Sequence, residues 1–101
     1  MTHYVYLIAT KVKDRTISYV GYTNNLLKRI SLHNSSKGAK FTKGKKWKLV
    51  YYKLYNSKNI AMKEEYILKK NYKLRKNIKI YQLIKLFFKF KIKIMSMNLL
   101  K

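Results

Sequence analysis

Apolar residues along this chain follow two rhythms that change several times between the termini. Residues 3–10 run through β-branched and aromatic side chains, the composition a strand prefers. Lys11 to Arg15 is polar and predicts a turn. Thr16 to Tyr22 reads as a second strand, and the short link makes the pair an antiparallel hairpin. Thr23 or Asn24 can cap a helix running through residue 34, whose Leu26, Leu27 and Ile30 fit helical spacing. Ser35 to Lys46, with two of the three glycines and five lysines, predicts a loop. Trp47 to Tyr55 is a third strand. Ser57 caps a second helix to about Lys70, with Ile60, Ala61, Ile67 and Leu68 as its apolar stripe. Residues 73–86 predict a third helix through Ile78, Leu83 and Ile84. Phe88 to Ile94 alternates with period two, a strand pattern following a helical one. No internal repeat divides the chain, so one domain over 1–86 and a basic, apolar extension over 87–101 are expected.

Composition adds a partner. In 101 residues, 25 Lys and Arg face three acids, a formal net charge of +22, while 48% hydrophobic residues are enough for a core. An AT-rich coding bias would raise Lys, Ile, Asn and Tyr, but it does not remove Asp and Glu. The excess therefore points to a polyanion, with a nucleic acid, DNA or RNA, as the expected partner. The absence of Cys excludes disulfides and thiolate metal sites, and two histidines, His3 and His33, are too few for a structural zinc. No apolar run approaches the roughly 18 residues of a membrane span. With no signal-peptide pattern, an intracellular protein, cytoplasmic or nucleoid-associated, is expected. A membrane-surface role for the Phe/Lys/Ile tail is the weakest reading.

Two of the three acids are adjacent, Glu64 and Glu65, on the second predicted helix. A helical wheel puts Glu64 near mid-stripe and Glu65 at its edge, beside Ala61, Leu68 and Tyr72. A mid-stripe Glu needs a partner, a proton or a cleft; an edge Glu can hold a metal while its carbons pack. Either could instead pair with lysines such as Lys69, one helical turn away. Spacing leaves that choice open. Arg29 and His33, four residues apart, share one face of the first helix.

Tyr4-Val5-Tyr6, Tyr19-Val20-Gly21-Tyr22-Thr23, the segment Leu27 to Asn34, Lys37-Gly38-Ala39-Lys40-Phe41-Thr42 and Ala61 to Lys69 together resemble, in order, the motifs of the GIY-YIG nuclease superfamily. The similarity is greatest to its small stand-alone bacterial branch and to the nuclease domain of Slx-type endonucleases, over roughly residues 3–85. The resemblance implies an α/β (α+β) fold, a three-stranded antiparallel sheet flanked by helices, with paired tyrosines, an arginine and a glutamate converging on one cleft. It makes Tyr6 and Tyr19 the motif tyrosines, Arg29 the phosphate-binding arginine and His33 the histidine one turn later. It selects Glu65 over Glu64 as ligand of a single divalent metal, Mg2+ or Mn2+. Tyr4 stands where the first motif usually has Gly, Tyr22 where some members have Lys, and Asn77 near a position where some have Asn.

The implied chemistry is phosphodiester hydrolysis of DNA, directed by branched, nicked or flapped structure more than by sequence. Arg29 would grip a phosphate oxygen with paired donors. A tyrosine serves as general base only if its pKa falls from about 10, and the cationic surroundings push that way. Tyr19 is then the base and Tyr6 orients water or phosphate, with His33 relaying a proton or binding phosphate. Lys37, Lys40, Lys43, Lys45 and Lys46 would track the backbone of the DNA. Phe41 and Trp47 could stack on unpaired bases, though Trp47 fits the core of the third strand better. A catalytically silent nucleic-acid-binding protein on the same fold is the competing reading.

Overall fold

The structure is a computed structural model and describes residues 2–78. The expected later part of the third helix, the alternating segment 88–94 and the boundary between residues 86 and 87 lie outside the described residues.

β1 (His3–Val12) and β2 (Arg15–Thr23) form the expected hairpin. Val12 pairs with Arg15, leaving a two-residue turn in which Lys13 takes φ 56°, the left-handed region that glycine prefers. β3 (Lys48–Tyr55) pairs antiparallel on the other side of β1, giving the order β2-β1-β3. The three-stranded antiparallel sheet and flanking helices are those the sequence predicts. β1 is central, so it is buried on both faces: Val5, Tyr6, Leu7, Ile8 and Ala9 are all in the core.

Each face has its own cluster. Val5, Leu7 and Val20 pack with Ala61 and Leu68 of α2 (Lys58–Lys70). Tyr6, Ile8 and Trp47 pack with Ile17, Tyr19 and with Leu26 and Ile30 of α1 (Leu26–Asn34). Residues 72–78 are again helical. Ser57 caps α2 as expected, its hydroxyl accepting from the Ile60 amide at 3.5 Å.

Three local expectations change. The cap of α1 is Asn25, neither Thr23 nor Asn24: Asn25 Oδ1 accepts from the Lys28 amide at 3.2 Å. Thr23 acts one step earlier, its hydroxyl accepting from the Asn25 amide and donating to the Asn25 carbonyl. Leu27, expected inward, is 83% exposed, because the α1 cluster is filled from Leu26 and Ile30. In α2 the inward stripe is Ala61, Glu64, Glu65 and Leu68, while Ile60 and Ile67 face out. Ala61 is fully buried against the sheet, and Glu64 and Glu65, three and four residues on, share its side of the helix and are half-buried.

Candidate active site

Tyr6 and Gly21 face each other across β1 and β2. Gly21 has no side chain, so the Tyr6 ring lies over it; a Cβ there would run into the Tyr6 hydroxyl and ring. The Tyr6 ring can therefore extend toward β2, an edge strand that α2 packs against from the other face.

On arrival the hydroxyl meets α1. Tyr6 Oη is 2.6 Å from His33 Nε2, and His33 Nδ1 is 2.8 Å from Thr42 Oγ1. The Thr42 hydroxyl donates to the Ala39 carbonyl at 2.8 Å, so its oxygen accepts from His33. Nδ1 therefore carries the imidazole proton, and Nε2 accepts from Tyr6. Tyr6, His33 and Thr42 are all fully buried. Burial, with the Arg29 charge second, holds His33 below its ordinary value of 6.5, in keeping with a neutral ring.

Arg29 lies one turn before His33 on α1, half-buried. Burial pushes the Tyr6 hydroxyl up to about 12, against a hydrogen bond from Arg29 and its positive charge, which pull it down; Tyr19 and Glu65 push it up further. Tyr6 thus lies within electrostatic reach of Tyr19, Arg29 and Glu65 at once. The expected lowering by cationic surroundings does not hold at Tyr6, because loss of solvent outweighs the one guanidinium. Tyr19 meets His33 edge-on, ring centroids 5.2 Å apart, and stacks on Phe41 at 6.2 Å and 20°.

The two glutamates diverge. Glu64 shares a small cavity of about 50 Å³ with Val5, Tyr51, Tyr55 and Leu68. Burial first and the Glu64 charge second push the Tyr51 and Tyr55 hydroxyls up. Glu65, with a side chain only 13% exposed, pairs one oxygen with Lys69 Nζ at 2.7 Å. Such a pair with a half-exposed lysine is weak and exchangeable. Among the described residues no three His, Cys, Asp or Glu cluster as metal ligands. A cation at this site would rest on the Glu65 carboxylate with water around it. That donor set fits Mg2+ or Mn2+, which keep much of their hydration.

The segment between α1 and β3 is the expected loop, and it is pinned in place. A 3-10 turn, Lys40–Thr42, inserts Thr42 against His33, and Gly38 lies directly on the His33 ring. The Asn34 side chain grips the Trp47 backbone, accepting from its N–H and donating to its carbonyl. Trp47 is 4% exposed and its indole N–H donates to the Thr42 carbonyl at 3.0 Å, so it is a core residue and not a stacking surface. Lys37, Lys40, Lys43 and Lys46 are exposed, whereas the Lys45 ammonium folds back onto the Phe41 and Lys43 carbonyls. Asn77 is exposed in the helical run 72–78.

Sequence reasoning placed Tyr6, Tyr19, Arg29, His33 and Glu65 but assigned no part to Thr42 or Asn34. Both stand in the segments that resemble the family. Their signal was a hydroxyl and an amide flanking a lysine/glycine loop, residue types that pair with backbone.

A GIY-YIG catalytic domain model matches residues 2–79, and the chain belongs to that nuclease family. It is 48% identical over 65 residues to a UPF0213 protein of Staphylococcus haemolyticus, covering 63% of this chain and 76% of that one. It is 46% identical over 67 residues to a UPF0213 protein of Clostridium perfringens, covering 65% and 69%. Among solved structures it is similar to the solution NMR structure of the UPF0213 protein BH0048 from Bacillus halodurans, with 39% identity, 85% of each chain covered and a TM-score of 0.44.

Proposed function

We propose that this chain is a metal-dependent DNA endonuclease that hydrolyses phosphodiester bonds and selects nicked, branched or flapped structure over sequence. The observation that carries the reading is the buried Tyr6 hydroxyl, which donates to His33, one helical turn after Arg29, whose ring Tyr19 meets edge-on. Membership of a nuclease family supports it, as does a charge of +22.

Arg29 would bind a non-bridging phosphate oxygen and stabilise the charge that builds in the transition state. Tyr6 keeps its proton at neutral pH: its hydroxyl donates to His33 Nε2, and its oxygen accepts from the Arg29 guanidinium. Tyr19, less buried and beside His33, takes the part of general base toward water. Glu65 would hold a Mg2+ or Mn2+ ion in place of Lys69, and such an ion neutralises phosphate charge and assists the leaving oxygen. The exposed Lys37, Lys40, Lys43 and Lys46 would guide the DNA backbone, with Lys45 bracing the loop.

Purified protein in excess over labelled flapped and nicked duplexes should give product only with Mg2+ or Mn2+. Glu65→Gln should lower the rate at least about a hundred-fold while leaving DNA affinity within about two-fold. Binding without any product from the unsubstituted protein would instead establish the catalytically silent reading, which the Glu65–Lys69 pair favours.

A further inference from the structure

Phe41 is the one phenylalanine among the described residues, and it is 52% exposed. Exposed tyrosines keep a hydroxyl in water; Phe41 has no polar atom to justify its place. Nor is it a loose side chain. It occupies the middle of the 3-10 turn whose Thr42 is locked to His33. Its ring stacks on Tyr19 at 20° and leans on buried Trp47 at 6.1 Å, and Lys45 Nζ lies 5.6 Å from its centroid. The turn thus holds an aromatic plate in contact with a site tyrosine, within a loop that has lysines and no acid between residues 35 and 50.

We propose that Phe41 is a stacking platform for an unpaired nucleobase next to the phosphate to be cut. The inference rests on the nucleic-acid reading of the site and adds its substrate class: a strand with at least one base out of the duplex. The ring is half-exposed, and the Lys45 ammonium that now lies over it is held only by exposed backbone carbonyls, so an arriving base would take its place on the π-face and leave the ammonium free for an adjoining phosphate, as Lys40 and Lys43 already are. A fully paired duplex presents no free base face to such a plate. A protein partner would meet a surface whose charge is almost all of one sign, which favours a polyanion over an apolar polypeptide.

The test is binding by the full chain without divalent metal, so that cleavage plays no part. Flapped and single-stranded DNA carrying 2-aminopurine in the unpaired segment, and a fully paired duplex of equal length, would be titrated with unsubstituted protein, Phe41→Ala and Phe41→Trp. The platform predicts quenching of the unpaired 2-aminopurine. It also predicts a roughly five- to hundred-fold loss of flap and single-strand affinity in Phe41→Ala, with duplex affinity unchanged and Phe41→Trp restoring most of the loss. Equal losses on all three DNAs, no loss, or no quenching by the unsubstituted protein would overturn it, and the quenching readout stands even if Phe41→Ala does not fold. Binding of all DNAs without base discrimination would remove the platform alone; binding of none would remove the nucleic-acid reading beneath it.

Discussion

A tyrosine pushed up to about 12 beside an arginine is held there by burial, and this makes the Tyr6–His33–Thr42 chain a structural unit as well as a chemical one. His33 titrates lower in the fold than in the unfolded chain, whose ordinary value is 6.5. Beneath that value the unfolded chain takes up the proton first, so stability is fully present above pH about 6.5 and is lost as pH falls through the window below it. Thermal melts from pH about 7.5 to 5 should show a falling midpoint, and His33→Gln should flatten the curve; with only three carboxylates in the chain, few other groups can contribute. Gly21→Ala should destabilise by about 1–3 kcal/mol in denaturant titrations, since its methyl would displace the Tyr6 ring. At this scale the motif tyrosines, Arg29, His33 and Glu65 were legible because a short ordered pattern carried them. The state of Tyr6 was not, because sequence shows surrounding charge but not loss of water.

Along the elements, periodicity placed all three strands and both main helices, and in α2 it put Ala61 and Leu68 inward correctly but Ile60 and Ile67 with them. A hydrophobic wheel weights the larger Ile60 and Ile67 as heavily as Ala61 and Leu68; the helix docks through the latter two, and the small Ala61 side chain is fully buried. Ala61→Leu should therefore cost about 1–3 kcal/mol, whereas Ile67→Gln should stay within about 0.5 kcal/mol, both read from chemical denaturation. The α1–β3 loop hid its order for a related reason: Asn34 and Thr42 look like loop residues until the backbone groups they bind are known. Asn34→Ala frees the buried Trp47 amide and should cost about 1–3 kcal/mol.

For the whole molecule, an excess of 22 positive charges favours a polyanionic partner and makes its binding depend on salt. Affinity for DNA should fall steeply with salt, and changing Lys40, Lys43 and Lys46 together to Gln should reduce the slope of log affinity against log salt by about 2–3. Composition alone made the partner class legible. It could not show that β2 is an edge strand with α1 and α2 packed on opposite faces of the sheet. The proposed reaction requires a cation seated on Glu65 opposite Arg29 and the two tyrosines. Paramagnetic broadening by Mn2+ in NMR spectra of the full chain tests it most directly. Signals of Glu65, Tyr6, Tyr19 and Arg29 should broaden at low Mn2+ and recover in Glu65→Gln; broadening centred on Glu64 or Asp14, or unchanged by that substitution, would contradict it.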